Sequence, residues 1–82
     1  MELVTTFNNK KLILKNLRPY YGIITLQYLP TGGIQMIKDN KMVINYNNSF
    51  IYTEQVNFNN QDYNIEEFSK LYPNLVNQVL PL

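Results

Sequence analysis

Between Leu3 and Phe58 apolar residues recur in short runs bounded by Asn, Gly or Asp, the spacing of a small antiparallel sheet or barrel. In residues 11–17, Leu12 and Leu14 fall on one face while Lys11, Ile13 and Lys15 fall on the other, because successive side chains of a strand alternate. Asn8-Asn9 precedes this run as a turn signal, so residues 3–7 and 11–17 are expected to form a hairpin.

Residues 20–29 carry the strongest strand pattern. Tyr20, Ile24, Leu26 and Tyr28 share one face with Gly22, and Tyr21, Ile23, Thr25, Gln27 and Leu29 occupy the other. Both faces are largely apolar, which predicts a central strand. Pro30-Thr31-Gly32-Gly33 follows as a turn. Residues 34–38 and 41–46 flank Asp39-Asn40, a pair that tolerates left-handed backbone and suits a tight hairpin. Asn47-Asn48-Ser49 makes the next turn, and residues 50–58 place Phe50, Tyr52, Val56 and Phe58 on one face. The expectation is a four-strand meander after the N-terminal hairpin.

The period changes at Asn64. Asn64 with Glu67 three positions later matches a helix N-cap and capping box. Ile65, Phe68, Leu71, Leu75 and Val79 continue at helical spacing, interrupted by Pro73, which predicts one helix to about Leu71 and a second helical turn beyond it. The expected fold class is therefore α+β, mainly β: five to six short antiparallel strands in a sheet or barrel, then a short C-terminal helical segment. A single domain over 1–82 is expected, with 1–58 as the β meander and 64–80 as the helical segment.

Composition narrows the chemistry. The 82 residues include no His, Cys, Trp or Ala, and thirteen Asn. Without His or Cys the chain lacks the side chain that titrates near neutrality and the strongest ready nucleophile, and has neither disulfides nor a zinc ligand set. Glu66-Glu67 is the one adjacent carboxylate pair, and consecutive helical positions diverge by about 100°, so it reads as favourable charge at a helix start. Lys38-Asp39-Asn40-Lys41 lacks the acidic spacing of a calcium loop, Thr31-Gly32-Gly33 lacks the Lys-Ser/Thr of a phosphate cradle, and Asn47-Asn48-Ser49 is a sequon expected by chance in so Asn-rich a chain. No enzymatic activity, cofactor or metal is expected.

Charge and end composition shape the partner question. The net charge of +1 divides into +4 over residues 1–41 and −3 over residues 42–82. If the fold separates the halves, head-to-tail contacts between copies are favoured; if strands interleave them, the asymmetry cancels. Residues 71–82 hold no charged side chain and end on apolar residues, so this tail is expected to dock on its own fold or on another subunit. Residues 19–37 are also uncharged, but their continuous apolar part is only about ten residues, too short for a spanning helix. Phe, Tyr, Met, Ile, Asn and Lys total 41 residues against 8 for Gly, Ala, Arg and Pro, the signature of AT-rich codons.

Two function classes follow. The leading expectation is a non-enzymatic protein-interaction domain, as in a small phage or viral structural, assembly or host-inhibitor protein. Its partner would be another protein or itself, as a homo-oligomer or part of a larger assembly. Tyr20, Tyr21, Tyr72, Leu75 and Val79 are its contact candidates. The alternative is a single-stranded nucleic-acid binder in which Lys10, Lys11, Lys15 and Arg18 meet phosphates beside the Tyr20-Tyr21 stacking pair. The N-terminus lacks the pattern of a classical secretion signal, so host cytoplasm or virion is the expected location.

Overall fold

A computed structural model describes residues 1–82. Eight strands precede one helix: β1 (Leu3–Phe7), β2 (Lys10–Lys15), β3 (Arg18–Pro19), β4 (Ile34–Lys38), β5 (Lys41–Tyr46), β6 (Ser49–Thr53), β7 (Gln55–Phe58), β8 (Gln61–Asn64) and α1 (Ile65–Leu71). The chain is thus mainly β with a short C-terminal helix, as its pattern predicts. The strands form two antiparallel sheets rather than one, in the orders β1-β2-β7-β8 and β3-β6-β5-β4.

Four hairpins turn on two residues each. Asn8-Asn9, Asp39-Asn40, Asn47-Asn48 and Asn59-Asn60 all adopt positive φ, from 50° to 66°. A two-residue hairpin whose twist matches its strands needs left-handed backbone at both central positions, and Asn and Asp reach it more cheaply than other side-chain-bearing residues. Asn16 and Asn77 are left-handed as well. Most of the asparagine excess is turn chemistry.

The two sheets share a ribbon. In the first sheet β2 pairs with β7 from Leu12↔Phe58 to Lys15↔Gln55. The same offset resumes in the second sheet as Arg18↔Tyr52 and Pro19↔Ile51. Both chains of the ribbon bend together at Asn16-Leu17 and Thr53-Glu54, so the run expected as one strand over residues 50–58 is divided between two sheets. At the bend the Thr53 hydroxyl, fully buried, donates toward the Lys15 and Gln55 carbonyls at 2.6 and 2.7 Å and accepts the Gln55 N–H at 3.2 Å. One side chain thereby serves the backbone groups that the bend takes out of the ladder.

Residues 20–29 are not a strand, contrary to the expectation that they form the central one. The Tyr20 N–H still bonds the Phe50 carbonyl at 2.8 Å, but β6 ends at Ser49, where Asn47-Asn48 turns the chain away. No neighbouring backbone remains for the segment to pair with. Residues 61–64, in turn, form a strand that the apolar pattern did not announce.

The core lies between the sheets. Phe7, Leu12, Leu14, Val56 and Phe58 of the first sheet meet Ile34, Met42, Ile44 and Ile51 of the second, and Ile65 and Phe68 close one end. Phe7, Phe58, Phe68 and Tyr72 form an aromatic tetrad in which every ring contacts the other three, with centroids 5.2 to 5.9 Å apart in edge-on or tilted geometry. The capping box is complete: the Asn64 side chain accepts the Glu67 N–H at 2.7 Å, and the Glu67 carboxylate accepts the Asn64 N–H at 2.9 Å.

Beyond Tyr72 the chain turns without a second helical turn. Pro73 removes a donor, and the tail then runs along the β4 edge. The Ile34 N–H donates to Gln78, the Asn77 N–H to Ile34 and the Leu80 N–H to Gly32, at 2.8 to 2.9 Å. Gly32 is required here, since its φ is 94° and any Cβ would run into the Leu80 carbonyl. The Thr5 hydroxyl donates to the Pro81 carbonyl at 3.1 Å, which ties the tail to β1.

Candidate functional site

The unpaired residues 20–30 fold back as a flap over the outer face of the β3-β6-β5-β4 sheet. The β4–β5 register shifts between Ile34 and Met36, which leaves Gln35 as the extra residue of a bulge, and bulges re-aim side chains. The buried Gln35 side chain accepts the Leu29 N–H at 2.6 Å and donates to the Gln27 carbonyl at 3.2 Å. Asn45 of β5, also buried, donates to the Leu29 carbonyl at 2.6 Å. Two polar side chains thus serve three backbone groups of the flap. The other amide atom of Asn45, Oδ1, is buried with no donor.

Aromatic packing completes the seat. Tyr28 stacks edge-on against Phe50 with centroids 4.9 Å apart, and Tyr20 meets Tyr52 at 6.1 Å. The Lys41 ammonium lies 5.6 Å from the centre of the Tyr52 ring. Val43 is fully buried but stands outside the main core cluster. By strand alternation it shares the flap-covered face with Asn45.

Much of the flap is nonetheless exposed. Tyr21 is 90% exposed, Ile23 82%, Leu26 58% and Tyr28, beside its Phe50 contact, 63%. No charged residue occurs between Arg18 and Lys38. Scattered exposed hydrophobics are ordinary, whereas several on one uncharged segment mark an interaction surface.

An open polar cleft of about 540 Å³ lies where the ribbon bends, lined by Asn16, Arg18, Asn40, Glu54, Gln55, Asp62, Tyr63, Asn64 and Glu67. Its carboxylates are largely engaged. Glu67 belongs to the capping box, and Asp62 accepts from the Asn57 amide at 2.9 Å and faces Lys15 at 3.5 Å. The Asn57 hydrogen bond first, and the Lys15 charge second, hold the Asp62 carboxyl below the usual carboxylate range. A general acid needs the opposite shift. No group of three or more acidic side chains is placed to hold a metal ion, and no helix is long and apolar enough to cross a membrane.

The contact candidates fall into separate places. Tyr20 and Tyr21 belong to the flap, the first half-buried against Tyr52 and the second projecting into solvent. Tyr72 is a member of the aromatic tetrad, and Leu75, 1% exposed, lies in the chain's own core. Leu75 is therefore not at the surface, because the tail covers this chain's core and β4 edge. Val79 is 49% exposed and bridges Gly33.

The basic candidates are strung out rather than gathered. Lys10 and Lys11 sit at the Asn8-Asn9 end of β2, Lys15 is paired with Asp62, and Arg18 lines the cleft. At roughly 3.3 Å per residue β2 separates Lys10 from Lys15 by about 17 Å, and Arg18 lies beyond the bend, in the other sheet. Each sheet also combines strands from both halves of the sequence, so the +4 and −3 halves are interleaved and not opposed.

Gln35 and Asn45, which position the flap, were not among the sequence candidates. Their signal is a polar residue within an apolar strand run, between Ile34 and Met36 in one case and Ile44 and Tyr46 in the other. No protein-family model, curated protein or solved structure matches the chain.

Proposed function

We propose that this chain is a non-enzymatic protein-interaction domain that docks through the flap at residues 20–30 onto an apolar, weakly charged protein surface. The exposure of Tyr21, Ile23, Leu26 and Tyr28 on a segment without charge carries this reading. An apolar contact surface of this kind gains by leaving water and loses little by meeting uncharged neighbours. The AT-rich residue usage supports placement among small phage or viral structural, assembly or host-inhibitor proteins.

Arg18, three residues before the exposed Tyr21, supports a second reading, single-stranded nucleic-acid binding, in which Lys10, Lys11 and Lys15 extend the phosphate track. The experiment that separates the two is oligonucleotide binding at low and high salt, alongside mass in solution. The protein-docking reading expects no oligonucleotide binding. Binding that falls steeply with ionic strength, as phosphate contacts require, would overturn it.

A further inference from the structure

Resting on the flap as the docking surface, we infer that its partner is a second copy of this chain, which supplies the strand that residues 21–26 lack. None of the backbone N–H or C=O groups of residues 21–26 takes part in any hydrogen bond of the fold. Yet Tyr21, Ile23, Ile24 and Thr25 are strong strand formers. The segment follows β3 directly in the chain, and ladder pairing stops where β6 reaches its first residue, Ser49.

The chain lacks its usual protection here. Exposed edges are normally blunted by Lys, by inward charges or by Pro. Pro19 and Pro30 bound the segment, but nothing inside it blocks pairing. An antiparallel pair of residues 21–26 about a two-fold axis is isologous, so each copy both gives and receives the same contacts. It also brings no like charges together, because the nearest charged residues in sequence are Arg18 and Lys38.

The area is adequate for a modest dimer. Taking roughly 200 Å² for an aromatic side chain, the exposed parts of Tyr21, Ile23, Leu26 and Tyr28 come to about 500 Å² per copy. A pair that covered all of it would bury about 1,000 Å², the size of a weak, transient interface. The seat of the flap in the single chain is itself incomplete, because Asn45 Oδ1 is buried without a donor. The hydrogen bonds of the seat are made at residues 27–29, outside the segment that pairs, so pairing through 21–26 leaves all three in place.

Sedimentation velocity from low micromolar to millimolar concentration, with amide hydrogen exchange on the same samples, tests this. The expected result is a dimer at high concentration whose formation slows exchange at residues 21–26. Thr25→Pro, which removes a ladder donor, and Ile23→Lys, which sets like charges close together, should each weaken dimerisation at least tenfold, with the unfolding midpoint unchanged because both sites are exposed. A chain that stays monomeric throughout, a dimer indifferent to both variants, or a dimer without protection at 21–26 would overturn the inference. So would co-sedimentation with phosphatidylcholine vesicles that Ile23→Lys abolishes while the protein stays monomeric, which assigns the flap to a lipid surface. A monomer that binds neither vesicles nor oligonucleotides defeats self-pairing alone; salt-sensitive oligonucleotide binding defeats the protein-docking reading beneath it.

Discussion

Gln35 holds Leu29 by its backbone: the side-chain carbonyl, buried in the β4 bulge, accepts the Leu29 N–H at 2.6 Å. The amide nitrogen of the same side chain reaches the Gln27 carbonyl at 3.2 Å. Gln35→Leu keeps most of the volume and removes both bonds, leaving part-buried groups without partners. A loss of about 1–3 kcal/mol is expected, read as a lower urea midpoint together with faster exchange of the Leu29 amide. Unchanged exchange at Leu29 would show that the flap is held by its aromatic contacts alone.

The hairpin turns offer a cleaner test of backbone conformation. At Asn48, with φ at 64°, Asn48→Ala should cost about 1 kcal/mol, because Cβ opposes left-handed backbone and Ala lacks the local hydrogen bonding of Asn. Asn48→Gly should stay within about 0.5 kcal/mol of the parent, since glycine reaches this region freely. Equal midpoints for the two variants would mean that asparagine contributes something other than its tolerance of positive φ.

Tail docking on the chain's own core predicts a sharp contrast between two aliphatic residues. Leu75→Ala empties a fully enclosed position and should cost about 2–4 kcal/mol. Val79→Ala, at a half-exposed position, should cost less than about 1 kcal/mol. Denaturant unfolding of both variants decides this, and the reverse order would remove the tail from the core.

The Asp62 pair gives stability a defined pH dependence. Asn57 and Lys15 hold the Asp62 carboxyl below the usual range, so the folded chain keeps this group ionised to lower pH than the unfolded chain does. Its contribution is fully present above roughly pH 5 and is lost as pH falls through about 4 and then through the lower folded value. Asp62→Asn should therefore lower the urea midpoint at pH 7 and leave it nearly unchanged at pH 2. A midpoint difference of equal size at both values would place the effect outside the carboxylate's charge.

Local chemistry was readable in the sequence, and neighbours were not. Asn8-Asn9, Asp39-Asn40 and Asn47-Asn48 announce turns because left-handed backbone is a property of the residues themselves. Asn64 and Glu67 announce the helix start because the capping box is likewise made within four residues. The alternation at residues 20–29, apolar on both faces, reads as a central strand, but it carries no information on whether a partner strand extends far enough to pair, and the segment is not a strand. The division at Thr53-Glu54 is likewise invisible, since the hydroxyl that supports it acts on Lys15, far away in sequence. At the site, the exposure of Tyr21 follows from the flap, which the pattern did not announce. The packing of Leu75 and Tyr72 was not legible either, because an apolar tail reads identically whether it covers its own core or another's.

The bent ribbon also sets an order of events during folding. The four hairpins turn on adjacent residues and can close within about 1–10 μs. Pairing Pro19 with Ile51 requires closing the chain across the flap, β4 and β5, and that loop entropy is met before the contacts return it. Because the ribbon belongs to both sheets, neither sheet is complete until it zips. Loss of the ribbon would undo both sheets together, which makes the molecule a single cooperative unit despite its two layers.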